Sequence, residues 1–124
     1  MKQRNKIISL FLFIVFGLLL TACATSFVQK EEQPSLTPAM LNAMVAHADE
    51  FDSLYPDTEN VARSCSQSNS DVYWNKDLQS YAVTCFLPSG GIGIVTFSDR
   101  EILIDVFSIS QDNLSGFLAM GWKR

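Results

Sequence analysis

The chain has 124 residues, 48% of them hydrophobic and 18% charged, with nine Lys and Arg against 13 Asp and Glu and a formal net charge of −4. That apolar content suffices for one folded domain. The acidic balance weighs against a nucleic-acid ligand, whose phosphates need clustered Lys and Arg, and against electrostatic docking on anionic lipid.

The amino terminus carries Lys2, Arg4 and Lys6, then an apolar run from Ile7 to Leu20, then Thr21, Ala22 and Cys23. A positive region, an apolar region and a small-residue site in that order read as a secretory signal peptide. Fourteen apolar-run residues make about 21 Å of helix, short of the ~30 Å hydrocarbon core, so a membrane-spanning anchor is the weaker reading. Leu20-Thr21-Ala22-Cys23 resembles the lipobox of bacterial lipoproteins. The resemblance implies cleavage before Cys23, thioether lipidation of Cys23, acylation of the new amino terminus, and hence a stable attachment to membrane. Ala24, where Asp would signal inner-membrane retention, implies sorting to the outer membrane if the host is Gram-negative, and otherwise the outer face of the plasma membrane.

Removal of residues 1–22 leaves 102 residues, with six basic against all 13 acidic ones, a net charge of −7. Of three cysteines, Cys23 is assigned to lipid. Cys65 and Cys85 then form the one available pair in an oxidising compartment, and a disulfide is expected between them. No Cys-x-x-Cys redox pair is present. With His47, the two cysteines are too few and too scattered for a zinc site.

Residues 23–37 are polar and aperiodic and read as a tether of roughly 20 Å; residues 38–124 are the expected domain. Thr37-Pro38 is a helix start, an N-cap followed by proline at the first helical position. Met40, Leu41, Met44, Val45, Ala48, Phe51, Leu54 and Tyr55 then recur at steps of three and four, predicting one buried face, and Pro56 limits the helix. From Asp57 to Asp71 the composition turns polar. A loop held by Cys65 is expected there, with Asp57-Thr58-Glu59-Asn60 capping at most a short turn through Arg63.

The remainder predicts hairpins. Val72-Tyr73-Trp74 and Gln79 to Leu87 flank a turn at residues 75–78, and Pro88-Ser89-Gly90-Gly91 leads to a strand from Ile92 to Phe97. Ile102 to Ile109, the most apolar strand, is expected at the sheet centre. Leu114 to Trp122 fits either a short helix or a last strand over 117–122; Gly116 favours the strand. The expected fold is α+β: an N-terminal helix packed on an antiparallel meander sheet of four or five strands, with one disulfide.

No catalytic constellation is legible. His47, the single histidine, lies at the margin of the apolar helix face with no acidic residue three or four positions before it, which reads as packing rather than as a general base. Asp49, Glu50, Asp52, Asp57 and Glu59 lack the spacing and glycine of a calcium loop. Ser89-Gly90-Gly91-Ile92-Gly93 joins two strands, carries no lysine, and reads as a turn rather than a phosphate cradle. Tyr73, Trp74 and Trp122 are the candidate partner contacts. Strand neighbours alternate, so at most one of Tyr73 and Trp74 points into the core.

The sequence therefore predicts a non-enzymatic lipoprotein without cofactor or metal, attached to membrane through Cys23 and docking an envelope protein. The alternatives are a small-molecule or glycan binder, with a cleft lined by Met44, Phe86, Phe97 and Phe107, and an inhibitor or exclusion lipoprotein. Tyr81 to Cys85 before a Gly-rich turn is faintly similar to the Tyr-x-Cys start of small lysozyme-inhibitor lipoproteins, with different spacing and no site residues carried over.

Overall fold

Thr37 opens the first helix as its side-chain chemistry requires. In the computed structural model, which describes residues 33–124, helix α1 spans Pro38–Leu54. The expected signal peptide, the lipidation site Cys23 and the tether up to residue 32 lie outside the described residues. Thr37 is extended, and its hydroxyl accepts a hydrogen bond from the Met40 N–H at 3.2 Å. The helix ends at Tyr55, whose non-helical backbone fits the restriction imposed by Pro56. Only Met40, Met44 and Ala48 are fully buried, while Val45, Leu54 and Tyr55 are exposed. The buried stripe is therefore narrower than the apolar pattern, one row of steps of four. Ahead of α1, Leu36 already packs against the core.

The polar stretch after α1 is not the expected loop. Val61–Gln67 forms a second helix, α2. The Asn60 side-chain oxygen caps it by accepting from the Arg63 N–H at 3.1 Å. Ala62 and Cys65, three residues apart, are buried from one face. Seven residues cannot hold a helix in water alone, so burial of that face stabilises it. Arg63 and Ser64 between Ala62 and Cys65, and Ser66 after, mask the two-residue apolar signal.

Four consecutive hairpin strands follow: β1 Asp71–Asn75, β2 Ser80–Phe86, β3 Ile92–Ser98 and β4 Leu103–Ile109. All pair antiparallel with their sequence neighbours. A fifth strand, β5 (Trp122–Lys123), pairs with β1, giving the order β4-β3-β2-β1-β5. Thus β4 lies at an edge, contrary to the expectation drawn from its composition, and Ile102 and Ile104 are 64% and 58% exposed. The last strand of a meander gains a second neighbour only if the chain returns beside it. Here the chain crosses to β1 instead. The centre belongs to β2 and β3, where Val83, Ile94, Val95 and Phe97 are fully buried.

The sheet is covered on both faces. On one, Val83, Cys85, Val95 and Phe97 meet Met40, Met44, Ala48, Ala62 and Cys65 in the main core. Helix α2 lies against β2 and β3, and α1 packs chiefly on α2 while touching β4. The expected single N-terminal helix on the sheet is thus a helix pair, with α2 making most of the direct contact. Cys65 on α2 and Cys85 on β2 form the disulfide, with Cα atoms 5.2 Å apart.

The second face is crossed by the carboxyl-terminal segment. A 3-10 turn at Gln111–Asn113 runs into helix α3, Leu114–Leu118, and Gly121 (φ 110°) reverses the chain into β5. The expected strand over 117–122 is therefore helix first and strand only at its end. Leu114, Phe117 and Leu118 pack on Ala82, Ile92, Ile94 and Trp122, and this apolar contact outweighs the propensity cost of Gly116.

Candidate functional site

Register places the polar and aromatic residues of the second face. Asp71 lies across from Thr84, Tyr73 across from Ala82, and Phe86 across from Ile92. Side chains alternate along a strand, so Asp71, Tyr73, Thr84 and Phe86 share one face with Ile92. Helix α3 covers part of that face and stops short of its corner. A hollow of about 60 Å³ is left there, lined by Asn69, Asp71, Tyr73, Thr84, Phe86 and Leu114 among others. Phe86 stands at the hollow 70% exposed, whereas Thr84 is only 6% exposed. The Thr84 hydroxyl makes no hydrogen bond to another described residue. Arg124 flanks the site: its Nη2 lies 3.2 Å from the Asp71 carboxylate, and its guanidinium carbon sits 6.0 Å from the Tyr73 ring centroid.

The three aromatic candidates fall in different places. Tyr73 is half-buried on the second face, beside the hollow. Trp74 is on the helix-covered face, where its ring packs on Tyr81 at 4.6 Å between centroids and remains half-buried. Trp122 is buried, stacked on Phe117 at 5.3 Å. Its indole N–H has no hydrogen-bond partner among the described residues, a deficit of about 1–3 kcal/mol for a buried donor. Trp122 thus offers no surface in this fold, and Tyr73 and Trp74 do not share a face.

Met44, Phe86, Phe97 and Phe107 do not enclose a common cleft. Met44 and Phe97 fill the main core, Phe107 is half-buried under Phe117 on the opposite face, and Phe86 faces solvent. Asn69, Asp71, Thr84, Leu114 and Arg124 were not singled out in the sequence. The signal for two of them was present: the 75–78 turn sets a register that pairs Asp71 with Thr84 beside Tyr73.

Three members of the acidic run, Asp49, Asp52 and Glu59, serve internal structure. Arg63 of α2 pairs with Asp49, and with Asp52 at 3.2 Å, both on α1. The Asn60 amide donates to Asp52 Oδ1 at 2.7 Å and to the Ala48 carbonyl at 2.8 Å. The Asn60 hydrogen bond, with help from Arg63, holds the Asp52 carboxyl below the usual carboxylate range, and the two carboxylates raise Arg63 above its ordinary value. Glu59 accepts from the Ser89 N–H and hydroxyl, tying the β2–β3 turn to the segment before α2. His47 is half-buried, its ring 6.4 Å from Phe51. Among the described residues, no group of His, Cys, Asp and Glu is arranged to hold a metal ion.

Comparison of the chain with protein-family models, curated proteins and solved structures finds no match in any of the three.

Proposed function

We propose that this chain is a membrane-attached lipoprotein of the bacterial envelope whose folded domain docks another protein without catalysing a reaction. The observation that carries this reading is the Cys65–Cys85 disulfide. It occupies both cysteines of the domain, as an exported protein in an oxidising compartment would. Cys23, in its lipobox-like setting, is the cysteine left for lipid. At the hollow described above, docking of a side chain is favoured over binding of a free ligand by its size, about 60 Å³ against the ~300–1,000 Å³ of ordinary ligand pockets.

Intact mass of the detergent-extracted protein tests the anchor, and cross-linking in intact cells tests the docking. The expected mass is that of residues 23–124 with one disulfide and added acyl chains. Cys23→Ser should remove the acyl mass and release the protein from membrane. A protein partner captured by the anchored form should be lost or weakened in the Cys23→Ser form. An unacylated mass, or capture indifferent to the anchor, would overturn the corresponding half of the reading.

A further inference from the structure

We propose that the hollow beside Phe86 is a socket for a lysine side chain of the protein that this domain docks; the proposal rests on the docking reading above. Asn69, Asp71 and Thr84 bring three oxygen-bearing side chains to the hollow, and an ammonium has three N–H donors to satisfy. Thr84 is nine-tenths buried and its hydroxyl is uncommitted among the described residues, so the hollow keeps a polar group unused. Tyr73 and Phe86 bring aromatic rings, whose faces attract cations, and Leu114 and Ile92 give an aliphatic wall for the four-carbon stem of lysine. The volume suits one side chain rather than a free ligand.

The domain already demonstrates the preference with a residue of its own. Arg124 lies against Asp71 and over Tyr73, a cation held by a carboxylate and an aromatic face. Both members of that ion pair are about half exposed, so the contact is screened and readily exchanged. A partner lysine would displace Arg124 from Asp71 and enter further, reaching Thr84. The exchange keeps one positive charge beside Asp71. The net charge of −7 in the chain after residue 22 would draw a basic partner and repel a second copy.

The test uses the isotope-labelled full-length protein in detergent, titrated with Nα-acetyl-lysine-methylamide and followed by backbone amide shifts. Saturable shifts at Tyr73, Thr84 and Phe86 are expected, and the ranking of the probes against one another is the readout. The Nε-acetylated probe and the norleucine analogue, which lack the ammonium, should bind at least tenfold more weakly. Asp71→Asn should weaken the lysine probe by a similar factor, and Arg124→Gln should tighten it severalfold by removing the competing cation. Equal binding of the norleucine analogue, or shifts confined to residues outside the hollow, would overturn the socket. Shifts from N-acetylglucosamine but not from the lysine probe would replace it with a glycan seat. In cells, a partner captured equally by wild type and Asp71→Asn sinks the socket and leaves the docking reading standing. Lysine-probe binding in the hollow without any captured partner does the reverse.

Discussion

Gly93 lies directly across the β2–β3 ladder from Cys85, and the space a Cβ on Gly93 would take is bounded by the disulfide that Cys85 makes. Such a Cβ would stand 3.0 Å from Cys65 Sγ and 2.9 Å from both Val61 Cγ1 and Leu87 Cδ2. The Leu87 terminus can rotate away. The sulfur is fixed by its bond, and Val61 is β-branched and stiff on its helix. Glycine at this point lets α2 approach the sheet closely enough for the bridge to form.

Gly93→Ala should therefore destabilise the domain by about 1–3 kcal/mol through overpacking. Gly116→Ala is the control. It sits in α3 with nothing within 4 Å of a built Cβ, and should be neutral or stabilise by up to about 1 kcal/mol. Urea midpoints of the two variants check the pair, and equal stability would contradict the close-approach argument.

Asn75 joins the β1–β2 turn to the carboxyl-terminal segment. It is fully buried, accepts from the Asp77 and Leu78 N–H groups at 3.1 Å each, and donates to the Met120 carbonyl at 3.2 Å. Asn75→Ala orphans both sides and should cost about 1–3 kcal/mol. Hydrogen exchange should show residues 111–123 opening faster while β2 and β3 keep their protection. Uniform acceleration across the sheet would mean that the segment is not an independent unit.

Asp52 gives α1–α2 docking a pH dependence. Its carboxyl titrates lower in the folded chain than in the unfolded one, chiefly through the Asn60 amide. The stabilisation is thus complete above the unfolded value, near pH 4, and is lost as pH falls through the lower folded value. Asp52→Asn should reduce the drop in urea midpoint between pH 6 and pH 3. An unchanged slope in that variant would place the acid sensitivity elsewhere.

The exposed edge of β4 is guarded by one carboxylate. Asp105 accepts from the outward Val106 N–H at 2.9 Å, beside a register shift in the β3–β4 pairing. Both devices discourage another strand from pairing there. Asp105→Val should leave Ile102 and Ile104 beside an open edge and raise self-association several-fold in sedimentation velocity. If the variant sediments as wild type does over a tenfold concentration range, the edge is protected by other means.

The hollow was only partly legible in the sequence. Alternation singles out Tyr73, and Phe86 is grouped in the sequence with Met44 and Phe97, which fill the main core, and with Phe107, which shares its face but packs under Phe117. Asp71 and Thr84 needed the hairpin register, and Asn69 and Leu114 needed the chain path. Trp122 has the composition of a contact residue, yet Phe117 covers it, because the segment carrying both folds back across the sheet.

What the sequence by itself determined are the features set by neighbours a few residues away or by elimination. Thr37 and Pro38 start α1 because capping acts within one turn; the turns at 75–78 and 88–91 set antiparallel pairing because so few residues permit nothing else. Cys65 and Cys85 pair because residues 33–124 contain no other cysteine. Only the tertiary structure decided which strand is central, that residues 61–67 are helical, and that the carboxyl-terminal segment straps the second face. In each case the deciding energy is burial against residues distant in the chain. An apolar strand reports how much surface it can bury, and the path of the chain decides how many neighbours it finds.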